Sequence, residues 1–127
     1  MVTGVVNGVL EGVISLPVQD AQGQWHDGAA VVETAFTRWL TLPLAQINSL
    51  GLIWKNRVQG MLADGTILYF DVYKATVIWD GRTRTIEVDA SEVFPLVGMR
   101  LMSGFQLRID VVVGGAVEIE ELPVSRP

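Results

Sequence analysis

RVQGMLADGTILYFDVY (residues 57–73) and ATVIWDGRTRTIEVDA (residues 75–90) decide the fold class. Each pairs two runs of β-branched and aromatic residues around an Asp-Gly, at Asp64-Gly65 and at Asp80-Gly81. Asp-Gly between such runs is a strong signal for a two-residue hairpin, because both central positions of a type I′ turn take a positive φ. Arg82, Arg84, Glu87 and Asp89 mark the second pair as strands with one wet face.

The pattern continues outward in both directions. FQLRIDVVVGGAVEIEEL (105–122) predicts a last hairpin around Gly114-Gly115. VVNGVLEGVISLPV (5–18) predicts one long strand or two short ones, with Gly8 and Gly12 permitting bends. DAQGQWHDG (20–28) is expected as a polar turn region, and AAVVE (29–33) as a buried strand. FPLVGMRLM (94–102) is apolar, centred on Gly98, and could end in a helical turn. PLAQINSLGL (43–52) is the one convincing helix, with Pro43 suited to a first turn and Gly51 to a stop. No linker, low-complexity segment or internal repeat divides the chain. The expectation is a single all-β domain over residues 1–127, with its core at about 2–122 and a loose tail, PVSRP, at 123–127.

Composition narrows the function classes. A chain of 127 residues suits one core, and half of it is hydrophobic with only 18% charged, which excludes disorder. A net charge of −5 without a basic run argues against nucleic acid as a partner. No cysteine is present, so thiolate chemistry and cysteine metal sites are absent, and a single histidine, His26, excludes sites that need two imidazoles. No metal or cofactor is expected. No apolar run reaches the ~18 residues of a membrane helix, and the amino terminus lacks the positive region of a signal peptide, so a cytoplasmic location without a membrane partner is expected. A mean hydropathy of +0.38 implies much apolar surface to hide, which a second copy of the chain could cover.

Against this background VVETAFTRWLTLP (31–43) poses a chemical question. Two valines lead straight into Glu33, and a carboxylate so placed is exposed at a bend, paired, or used. The plain structural reading is a solvated strand exit, or a pair with Arg38. Three stretches in order favour placement at a catalytic position, which is a separate matter from activity. Val31-Val32-Glu33-Thr34-Ala35-Phe36-Thr37, continued by Trp39-Leu40-Thr41-Leu42-Pro43, resembles the active-site loop of the retropepsin-like aspartic proteases, in particular their small single-domain prokaryotic members. Leu62-Ala63-Asp64-Gly65-Thr66 is similar to the hairpin that forms their substrate-covering flap. Pro95-Leu96-Val97-Gly98-Met99-Arg100-Leu101-Met102 resembles the apolar-apolar-Gly segment and short helix that back that loop.

The resemblance implies a closed retropepsin-like barrel with one short helix, assembled as a symmetric homodimer that takes a peptide or protein substrate. Catalysis in this family needs two carboxylates about 3 Å apart that share one proton. The ionised one activates a water while the protonated one polarises the scissile carbonyl. This chain carries one such motif, so the pair could form only at a dimer axis. Terminal strands join the dimer in the family, which suggests residues 2–6 and 117–122. Glu33 would stand in the place of the catalytic Asp. Thr34 would bond across the axis, and Ala35 would replace the Gly whose amide approaches the carboxylate. Ala63, Asp64, Gly65 and Thr66 would form the flap, and Leu96, Val97 and Gly98 would support the loop.

Glu-Thr-Ala departs from Asp-Thr-Gly at two positions. Two Glu side chains overfill a space built for two Asp, and Ala35 is stiffer than Gly if that position needs a positive φ. Arg38 stands where these relatives often have a small residue, and a pair with Glu33 would keep that carboxylate ionised. An impaired endopeptidase and an inactive peptide-binding or structural dimer are therefore both open. Trp25, Trp39, Trp54 and Trp79 are expected in the core or an interface, and His26 in solvent.

Overall fold

The computed structural model describes residues 1–124, so the end of the expected loose tail, 125–127, lies outside them. The described chain is all-β with one short helix. Its elements run β1 (Val2–Val6), β2 (Gly12–Gln19), β3 (Trp25–Val32), β4 (Leu40–Leu42), α1 (Leu44–Leu50), β5 (Ile53–Met61), β6 (Ile67–Trp79), β7 (Arg82–Ala90), β8 (Leu96–Val97), β9 (Phe105–Ile109) and β10 (Ala116–Glu121). All strands join one sheet in the order β5-β6-β7-β4-β8-β3-β2-β1-β10-β9, and β2 also meets β6 at Val18 and Val77.

Alternation decides which faces are buried. In β2, Ile14, Leu16 and Val18 point inward while Ser15 and Gln19 point out, the period-2 pattern of a sheet with one dry face. They meet Ala30, Leu40, Leu42, Val77, Trp79, Ile86, Val88, Val97, Val117 and Ile119 in a single core. α1 closes it with Ile47 and Leu50. Gly51, at φ 69, ends the helix and donates its N–H back to Asn48 and Ile47 carbonyls, the expected left-handed stop.

The hairpins differ in detail. Asp80 and Gly81 take φ 53 and 76, and Trp79 pairs with Arg82, so this is the expected two-residue type I′ turn. The other Asp-Gly turn is longer. Met61 pairs with Ile67, Leu62 and Thr66 face each other across the loop, and only Gly65 has a positive φ. Gly65 N–H donates to Leu62 O at 3.0 Å, which makes a tight turn over Ala63-Asp64 followed by a left-handed glycine. Asp64 spends its side chain on the turn, accepting Thr66 N–H at 2.9 Å.

Residues 5–18 form two strands joined by a turn over Gly8-Val9, while Gly12 already opens β2. Asn7 Oδ1 accepts the amides of Val9 and Glu11 at 3.1 and 2.9 Å, and Leu10 takes φ 65. The 20–28 turn region is shorter than expected. Asp20 Oδ1 accepts Gln22 and Gln24 amides and closes the turn, so Trp25–Gly28 already belong to β3. The 94–102 segment ends in consecutive turns. The last hairpin forms, but β9 stops at Ile109 and leaves Val111, Val112 and Val113 exposed in the loop.

The terminal strands are used within the chain. β1 lies between β2 and β10, and β10 between β1 and β9. Their ladder bonds are therefore made internally, and main-chain addition of a partner at residues 2–6 or 117–122 is blocked. The free edges of the sheet are β5 and β9.

Candidate active site

Glu33 leaves the end of β3 on a loop that spans residues 33–39 and returns as β4. β8 lies between these two strands, parallel to β3 through Val31–Leu96 and Val32–Val97, and antiparallel to β4 through Leu40–Val97. The loop is held along its length. Glu33 N–H donates to Val97 O at 2.9 Å, Gly98 N–H to Trp39 O at 3.0 Å, Met99 N–H to Phe36 O at 2.8 Å and Arg100 N–H to Arg38 O at 3.2 Å. Gly98 is required for this seat, since a Cβ there would lie 2.1 Å from Arg38 O and 2.6 Å from the Phe36 ring. Val97 is thus brought against Glu33, and Gly98 against Phe36, Arg38 and Trp39, with Leu96 paired to Val31; none of these bonds reaches Thr34 or Ala35.

Within the loop the Glu33 carboxyl turns back on its own backbone. Its Oε1 accepts Ala35 N–H at 3.0 Å, while Phe36 N–H donates to Glu33 O at 3.2 Å. Glu33 is half-buried, and Thr34, Ala35 and Thr37 are exposed. Ala35 is not among the residues with a positive φ, so its methyl group meets no backbone penalty. One carboxyl group alone cannot supply the acid and the base together.

Arg38 does not pair with Glu33. Its Nε donates to Asp89 Oδ2 at 2.6 Å, and its Nη2 to Asp89 Oδ1 at 2.9 Å and Glu87 Oε1 at 3.0 Å. Asp89 is buried, a position where a charge persists only with a bidentate partner of this kind. It lies opposite Val72, on the face away from Val88, so at this point both faces of the β6–β7 ladder are covered. Lys55 bonds the other Glu87 oxygen. The Lys55 hydrogen bond, opposed by desolvation and aided by the Arg38 charge, holds Glu87 below the usual carboxylate range. Asp89 holds the Arg38 guanidinium above its ordinary value.

Thr41 is the second buried polar residue, and its Oγ1 accepts Leu96 N–H at 2.9 Å, tying β4 to the segment that backs the loop. Neither Asp89 nor Thr41 stands out in the sequence. Asp89 shares the parity of Glu87 in a run that reads as wet, and Thr41 sits inside Leu-Thr-Leu. The usable signal was that β4 is too short and apolar to keep a polar centre without a partner.

Ala63, Asp64, Gly65 and Thr66 form the exposed tip of the β5–β6 hairpin. Thr66 hydrogen bonds hold the Asp64 carboxyl below its usual range. The hairpin carries exposed Met61, Leu62, Ile67, Leu68 and Tyr69, and its base reaches the loop where Arg38 lies 5.5 Å from the centre of the Phe70 ring. An open depression of about 410 Å³ lined by Thr37, Met99, Arg100 and Ser103 borders the loop. The other singled-out residues have structural partners. His26 Nε2 lies 2.7 Å from Asp20 Oδ2, an interaction that lowers the Asp20 pKa. Trp79 is buried, Trp39 half-buried under Arg84, and Trp25 and Trp54 exposed. Among the described residues no group of His, Asp or Glu is placed to hold a metal ion, and no helix is long and apolar enough to cross a membrane.

Comparison with protein-family models, with curated proteins and with solved structures gave no match.

Proposed function

We propose that this chain is an aspartic-endopeptidase-type protein, a closed retropepsin-like barrel whose peptide-hydrolysing site forms from two Glu33 loops at a homodimer axis, with turnover impaired by the Glu-Thr-Ala motif. The observation that carries the proposal is the bond from Ala35 N–H to Glu33 Oε1 in a loop backed by Leu96-Val97-Gly98. It matches the part that the resemblance gives to the third motif residue, the delivery of an amide to the carboxylate. Glu33 would act as acid and base with its counterpart, Thr34 would bond across the axis, and Ala63–Thr66 would cover a peptide or protein substrate in the cytoplasm.

Support for a second copy comes from the exposed apolar residues at the Glu33 end of the sheet. The registers of β3, β2, β1 and β10 bring the 7–11 turn and the 111–115 loop to that end, with Val9, Leu10, Val111, Val112 and Val113 exposed. Such a cluster fits a contact between copies. With the terminal strands occupied internally, side chains of these loops are the better candidates for it.

The alternative is a dimer that binds an extended peptide without cutting it. The free edge of β5 favours this reading, because an open edge accepts an added strand. Peptide cleavage at acidic pH by the wild type, Glu33→Gln and Glu33→Asp with Ala35→Gly separates the two. The proposal expects slow wild-type cleavage, none in Glu33→Gln and a faster double variant. Cleavage that survives Glu33→Gln removes Glu33 from the mechanism. Peptide binding without cleavage in wild type and double variant supports the alternative.

A further inference from the structure

We propose that Arg38 is a positioning residue that couples the Glu33 loop to the β5–β6 hairpin, so that the two segments loosen together. The coupling rests on contacts within one chain and holds whether or not Glu33 cleaves anything. Arg38 is fixed at both ends. Its carbonyl packs on Gly98 and accepts Arg100 N–H, while its guanidinium grips both oxygens of buried Asp89 on β7. A planar fork on a carboxylate sets orientation as well as attraction, which a lysine ammonium cannot do.

From that fixed point two links run to the hairpin. One is polar: Arg38 Nη2 bonds Glu87 Oε1, and Glu87 Oε2 takes Lys55 of β5. The other is the face of Phe70 on β6, 5.5 Å from the guanidinium carbon, within the range of a cation–π contact. Both hairpin strands are thereby attached, Lys55 near the base and Phe70 midway along, to a residue near the end of the Glu33 loop. Beyond Phe70 the hairpin is exposed from Met61 to Tyr69. Its packing there gives little restraint, so the Arg38 links weigh heavily in holding it. Lys55 also sits at an irregularity in the β5–β6 ladder, where the register shifts between Trp54 and Asn56, so its side chain compensates where ladder bonding is interrupted.

Coupling is reciprocal, so a change that touches only the hairpin side must be felt in the loop. The test is amide hydrogen exchange of the full chain, resolved by residue, for wild type and Lys55→Met. Lys55 is exposed, and its polar link toward the loop runs through Glu87, beside the depression it lines with Trp39, so the variant should fold. The expected result is exchange about five-fold faster or more, both in the β5–β6 ladder and at the Phe36, Met99 and Arg100 amides, with the β1–β10 ladder unchanged. Arg38→Lys should give the same pattern, because one ammonium cannot hold both carboxylates and the Phe70 face. Faster exchange confined to the hairpin in Lys55→Met overturns the proposal. So does an equal acceleration of every amide, or no change in either segment.

Discussion

Ala35 donates its amide to Glu33 Oε1 at 3.0 Å, two residues back along the same loop. The bond closes a ring between a side chain and the amide two residues on, as the shorter Asp64 does with Thr66, and needs a carboxyl at position 33 and a backbone donor at position 35. It does not need glycine there, since Ala35 has a negative φ.

Ala35→Gly should therefore lower stability by about 0.4–1 kcal/mol, because the unfolded chain gains freedom while the folded loop gains nothing. Denaturant titration of the two proteins measures this. A rise in stability would show that Ala35 is strained.

Thr41→Val removes the only polar atom of β4 that reaches Leu96 N–H. That amide lies in a half-buried strand end, and leaving it without a partner costs about 1–3 kcal/mol. Thr41→Ser retains the hydroxyl and should lose less. Equal midpoints for the valine and serine variants would contradict the role of the hydroxyl.

Gly98→Ala drives a methyl group into Arg38 O, a backbone atom that cannot rotate away. The loss should be about 3 kcal/mol, seen in the thermal or denaturant midpoint. It should also displace the Phe36 and Arg100 amides in an NMR spectrum, since both are tied to the same seat.

Acid should weaken the Arg38 cluster. Glu87 is held below the usual glutamate value of about 4.3 by Lys55, with help from Arg38. A group depressed in the folded state contributes stability above its unfolded pKa and loses that contribution as pH falls through the folded value. The denaturant midpoint should thus drop below about pH 4.3, and Glu87→Gln should flatten part of the drop. Asp20 and Asp64, also depressed, leave the remainder.

Much of the architecture is legible in local sequence. Asp80-Gly81 takes the turn its composition demands, and Gly51 stops α1, because a left-handed φ is a property of one or two residues. Asp64-Gly65 shows the limit, for the same dipeptide sits one step out of register and only its glycine turns left-handed. The bend at Leu10 was not legible either, since it depends on Asn7 accepting two amides across the turn.

By itself the sequence determined an all-β chain with one helix, the order of its strands along the chain and a single acidic motif at the end of β3. These follow from periodicity, turn chemistry and residue type, all of them local. The tertiary structure alone decided that the terminal strands pair with each other, that Arg38 turns to Asp89 and Glu87 instead of Glu33, and that Thr41 and Asp89 are buried. Each of those depends on partners more than forty residues apart in at least one contact, such as Arg38 and Asp89 at a separation of 51. Which carboxylate a guanidinium finds is settled by the packing of strands, and no pattern along the chain records it.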